Sequence, residues 1–65
     1  MKIKKAHGHY FLEAHCARCG KLDWLKVLSM VWRSKFVEVR VHCPGCQGNF
    51  TITMEVELWK EIKEE

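Results

Sequence analysis

At 65 residues the chain has room for one domain, and a domain of that size buries only about 60% of the surface its unfolded chain exposes, so it needs a staple. An apolar share of 48% and a charged share of 29% exclude both a membrane protein and a disordered tail. The net charge of +3 divides unevenly: residues 1–48 carry nine Lys/Arg against three acids (+6), and residues 49–65 carry two against five (−3). A basic body suggests a polyanionic partner.

The chain opens with Lys2, Lys4 and Lys5, but His7, Gly8 and His9 break any apolar run after them, and only Tyr10-Phe11-Leu12 is continuously apolar. That is too short for the core of a secretory signal, and no stretch approaches the roughly 20 apolar residues of a membrane span. The expected location is therefore the reducing cytoplasm, where paired cysteines more often bind metal than form disulfides. From His9 to His15 the alternation of Tyr10, Leu12 and Ala14 predicts a strand.

Residues 22–35 read two ways. Leu22, Leu25, Leu28 and Trp32 fit one face of a helix that Asp23 can cap, so a short helix within 22–33 is one alternative. A strand followed by a longer loop is the other, because no Gly, Pro or Asn lies between 22 and 35 to mark a tight hairpin. Val37, Val39 and Val41 then share one face of a strand, opposite Phe36, Glu38, Arg40 and His42. After a second turn, Phe50, Ile52, Met54, Val56 and Leu58 alternate with Thr51, Thr53, Glu55 and Glu57, predicting an antiparallel partner strand. Leu58 onward reads as a helical turn or tail, with an acidic tail over 59–65. Trp24, Trp32 and Trp59 are expected in the core or as a lid over the cysteine turns.

One self-similarity organises the chain. His15-Cys16-Ala17-Arg18-Cys19-Gly20 matches His42-Cys43-Pro44-Gly45-Cys46-Gln47-Gly48, giving turns at 16–20 and 43–48, each after a predicted strand. Two residues between cysteines let both thiolates reach one ion, and four thiolates complete a tetrahedral shell with metal–sulfur distances of about 2.3 Å. Gly20 sits where a left-handed residue is needed, and Pro44 presets one backbone angle. Cys16, Cys19, Cys43 and Cys46 are thus the predicted ligands of a single structural zinc ion, with iron as the minor alternative. A redox dithiol is disfavoured because no βαβ pattern surrounds either pair. His15 and His42 adjoin ligands on extended chain and point away from them, so they are expected at the surface.

With its ligands and strands in this order, the chain resembles a zinc ribbon. That implies a small mostly-β fold with two Cys-x-x-Cys knuckles and a three-stranded antiparallel sheet, forming one domain over 1–65. The two turns also resemble those of rubredoxins, which hold iron. The shorter loop and Gln47 in place of a glycine depart from that family. More narrowly, Cys16–Leu22, Phe36–Arg40 and Cys43–Cys46 resemble the Com-like zinc-finger proteins of Mu-type phages, small translational regulators that bind messenger RNA; the similarity covers residues 16–52.

The expected function is nucleic-acid binding, to RNA or DNA, through Arg18, Lys21, Lys26, Arg33, Lys35 and Arg40, with Phe36 beside Arg40 and Trp24 or Trp32 available to stack on bases. The alternative is a protein-interaction or homodimerisation module serving a larger machine. A membrane partner is not expected. Neither is catalysis: the predicted metal site is closed, and no Ser/His/Asp set, phosphate loop or carboxylate pair accompanies it.

Overall fold

The two histidines flanking Gly8 mark the first hairpin. In a computed structural model describing residues 1–64, β1 (Lys2–Ala6) and β2 (His9–His15) pair antiparallel with Ala6 opposite His9. His7 (φ 52°) and Gly8 (φ 78°) form the two-residue loop between them. Positive φ at both loop residues matches the right-handed twist of the flanking strands. No apolar alternation in the sequence marks Lys2–Ala6 as a strand. Paired with β2, Lys2 and Lys4 lie on one face, and Ile3 turns inward on the other, opposite Leu12.

The middle segment is strand from Leu22 to Trp32. β3 (Leu22–Trp32) pairs with β2 on one side and with β4 (Phe36–His42) on the other. The helix considered for 22–33 does not form. Leu22 and Leu28, two of its four stripe residues, are 57% and 45% exposed, whereas Leu25 is fully buried. A bulge lies between Val27 and Ser29, where Leu28 is the extra residue. It shifts the inward phase from Leu25 and Val27 to Met30 and Trp32. The connection to β4 is only Arg33-Ser34-Lys35, shorter than expected, and is closed by the Arg33 N–H donating to the Phe36 carbonyl at 2.7 Å. None of its residues has a positive φ, so it requires neither Gly nor Asn.

β4 and β5 (Asn49–Glu55) pair as their alternation requires, with Val37, Val39 and Val41 opposite Met54, Ile52 and Phe50. The expected continuation of this strand to Leu58 fails. After Val56 N–H donates to the Lys35 carbonyl, the chain turns into α1 (Val56–Lys60) and then β6 (Lys63–Glu64), which lies parallel to β1. The strand order is β5-β4-β3-β2-β1-β6. It exceeds the three strands expected because β1, β3 and β6 join. The acidic stretch predicted over 59–65 is partly helix and strand; Glu65 lies outside the described residues.

The sheet therefore has one packed face and one open face. Leu12, Leu25, Val37, Val39, Val41 and Met54 form the core with Cys16 and Cys43, and Ile3, Met30, Trp59 and Ile62 pack against it. The segment joining β5 to β6 must cross this face to reach the other edge. Trp59 anchors that crossing by meeting Trp32 edge-on, with ring centroids 6.2 Å apart and planes at 87°. Trp32 ends β3, away from the cysteines that precede its start. Of the two roles expected for the tryptophans, Trp59 takes the core one, and neither it nor Trp32 is a lid over the cysteine turns.

Candidate metal centre

Cys16 and Cys43 follow immediately on the last residues of β2 and β4, so the sheet itself places them at one end of the core. Both are buried, while Cys19 and Cys46 are exposed. The four sulfurs lie within 4.8 Å of one another. The Cys16–Cys46 separation is 3.6 Å and the Cys19–Cys43 separation is 4.0 Å. A tetrahedron of thiolates with metal–sulfur bonds of about 2.3 Å has edges of about 3.8 Å. These distances are far longer than a disulfide bond of about 2.05 Å. The four donors can thus hold one metal ion, consistent with the zinc-ribbon resemblance.

Each knuckle is closed by its own backbone. Cys16 N–H donates to the Lys21 carbonyl (2.9 Å) and Gly20 N–H to the Cys16 carbonyl (2.8 Å). In the second knuckle, Cys43 N–H donates to the Gly48 carbonyl and Gln47 N–H to the Cys43 carbonyl, both at 2.9 Å. Arg18 and Cys19 N–H groups also point at Cys16 Sγ, at 3.3 and 3.4 Å. Burial pushes the Cys16 thiol up, but these donors, with the Cys19 and Cys43 side chains, outweigh it and bring it down to about 6. The Gly48 N–H draws Cys46 down. Although the residue is exposed, partial desolvation of its sulfur and the neighbouring Cys16 and Cys43 sulfurs overcome that pull and raise Cys46 to about 11. Such opposed shifts are what a crowded sulfur cluster produces when several thiolates compete for one small volume.

His15 and His42 are not in the sulfur cluster. His42 lies within 2.6 Å of Asn49, Nδ1 to Oδ1, across the β4–β5 pair. Asp23 does not cap a helix; its Oδ1 accepts the Trp24 N–H at 2.7 Å.

The seven residues expected to bind nucleic acid separate into three places. Arg18 and Lys21 are exposed at the knuckle end. Arg18 crosses to the second knuckle, where its side chain fills the space a Cβ on Gly48 would need. Arg33 and Lys35 are in the β3–β4 loop at the opposite end, and Arg33 is paired with Glu38 at 3.0 Å. Lys26, Phe36 and Arg40 share the open face of the sheet, since they alternate with the inward residues of β3 and β4.

The sequence reading missed Lys4. Its Nζ lies 4.3 Å from the centre of the Trp24 ring and 6.0 Å from that of Phe11. In the sheet register Lys4 faces Phe11, Phe11 faces Lys26 and Lys26 faces His42. The Lys-x-Lys alternation around Ile3 is the signal that would have found it. Comparison with protein-family models, curated proteins and solved structures gives no significant match to this chain. No helix among the described residues is long and apolar enough to cross a membrane.

Proposed function

We propose that the chain is a zinc-stapled module that binds single-stranded nucleic acid on the open face of its sheet. The observation that carries this reading is the row Lys4, Phe11, Lys26 and His42 across four adjacent strands, with Trp24 stacked on Lys4 and Arg40 alongside. Aromatic faces accept unpaired bases, and lysine and arginine between them accept phosphates. Of the acidic residues after β4, which on charge alone would repel a polyanion, Glu57 and Glu61 belong to the segment that crosses the packed face, whereas Glu55 lies opposite Phe36 on the open face.

In this reading the ion is zinc and purely structural. All four positions go to cysteine, so none remains for a substrate and the module is not an enzyme. A reducing, cytoplasmic compartment keeps the thiols available. Iron remains the rival metal, and elemental analysis of protein from iron-supplemented cells separates the two.

Anisotropy titration of labelled single-stranded RNA and DNA pools across a salt series tests the function. Affinity should fall steeply with salt, and Trp24→Ala should lower it by about 5- to 150-fold, the equivalent of about 1–3 kcal/mol per stacked base. Affinity that is absent at low salt, or indifferent to Trp24 and Lys26, overturns the reading. A second reading, a protein-interaction module, draws on Leu22, Leu28, Val31 and Phe36, large apolar residues between 45% and 57% exposed.

A further inference from the structure

The two edges of the sheet are unlike. Among the described residues, β6 lies beyond β1, whereas β5 pairs with β4 alone and forms the other edge. Natural sheets guard such edges with lysine, proline, a bulge or a very short strand. β5 has none of these. It runs for seven residues, Asn-Phe-Thr-Ile-Thr-Met-Glu, with no Lys, Arg or Pro and a single charge at its last position. Its register against β4 is unbroken from Asn49 to Glu55, unlike that of β3.

The parity of its backbone is also set. Cys43 N–H to Gly48 carbonyl and Val56 N–H to Lys35 carbonyl are bonded pairs that bracket the β4–β5 ladder. Bonded and non-bonded pairs alternate in an antiparallel ladder. Phe50, Ile52 and Met54 therefore exchange bonds with β4, and Asn49, Thr51, Thr53 and Glu55 aim their N–H and C=O groups outward. On the packed face, Phe50 and Ile52 are half-buried.

We propose that β5 is the seam of a homodimer, pairing antiparallel with β5 of a second copy about a two-fold axis at Ile52. This register uses the strand from end to end. Ile52 meets Ile52, Phe50 meets Met54, Thr51 meets Thr53, and Asn49 meets Glu55 of the second copy. No two like charges face each other, and every residue with outward backbone groups falls in a bonded pair. Cross-strand apolar and Thr–Thr pairs of this kind are the stabilising units of a sheet. The axis is perpendicular to the sheet, so the open faces of both copies lie on the same side. The dimer thus presents one double-length surface. The proposal goes beyond the nucleic-acid reading and stands without it.

Sedimentation equilibrium of the metal-loaded chain over a concentration series tests it. The expected mass rises to twice the 7.7 kDa of one chain. Thr51→Lys/Thr53→Lys places lysine opposite lysine at the seam, on side chains exposed in the single chain, and should weaken the dimer by at least about tenfold. Mixing that variant with Thr51→Glu/Thr53→Glu should restore a heterodimer. Amide exchange at Thr51 and Thr53 in the unmodified protein should slow as concentration rises, a readout that needs no variant to fold. A chain that stays at 7.7 kDa throughout, a dimer indifferent to the lysines, or concentration-independent exchange at these amides overturns the proposal.

Discussion

Gly20 and Gln47 hold the same position in the two knuckles. Each directly follows the second cysteine of its turn, and each donates its N–H to the carbonyl of the first, at 2.8 and 2.9 Å. Both have left-handed backbone, with φ of 77° and 60°. Only one is a glycine. The second knuckle accepts a side chain there by tying it down, with Gln47 Nε2 donating to the Pro44 carbonyl at 2.8 Å.

The two positions should therefore respond oppositely to exchange. A Cβ on Gly20 meets nothing within 4 Å, so Gly20→Ala costs only the left-handed penalty, about 1–2 kcal/mol. Gln47→Gly relieves that penalty but loses an exposed hydrogen bond, and should stabilise by up to about 1 kcal/mol. Urea unfolding at fixed free zinc measures both. Equal effects of the same sign would show that the knuckles are not equivalent.

Metal removal should abolish the fold. The fully or nearly buried apolar core is six side chains plus two of the cysteines, and a structural four-thiolate zinc site supplies about 10–16 kcal/mol. Chelation, or Cys43→Ser, is expected to erase near-UV circular dichroism and amide dispersion together. A chelated chain that kept both would mean that the sheet holds without its staple.

Stability should rise with pH between about 6 and 9. Cys16 is lowered from an ordinary 9.0 to about 6 in the folded chain. A depressed folded value stabilises fully above the unfolded value and loses that contribution as pH falls through the folded one. Metal ligation, which also requires thiolate, acts in the same direction. Urea midpoints at pH 6, 7.5 and 9 should increase in that order, and a flat or falling series contradicts the thiolate assignment.

Leu25 and Leu28 separate the strand from the helix at residues 22–32. Leu25 is fully buried and Leu28 is 45% exposed. Leu25→Ala should cost about 2–5 kcal/mol, and Leu28→Ala less than about 0.5 kcal/mol. Comparable losses at both sites would restore the helical stripe.

That stretch also shows why part of the fold was hard to read. One extra residue at Leu28 breaks the two-residue period, so inward positions fall at 25, 27, 30 and 32, while Leu22, Leu25, Leu28 and Trp32, drawn from both faces of the strand, imitate a helical stripe. Val37, Val39 and Val41 had no such interruption and were legible at once. β1 escaped notice because one inward residue, Ile3, makes no pattern until β2 lies beside it. Alternation likewise carried β5 too far: Val56 and Leu58 keep the period but α1 replaces the strand.

Sequence alone singled out the four cysteines as one candidate ligand set, because ligand spacing is a local property of a turn and repeats visibly. It also determined the inward faces of β4 and β5, since period two survives without partners. Tertiary structure decided which basic and aromatic residues share a surface. Lys4, Phe11 and Lys26 are far apart along the chain, and only pairing across three strands sets them in a row. It also decided that β5 is an edge: whether a strand has a second neighbour depends on the order of the whole sheet, which no stretch of residues encodes by itself.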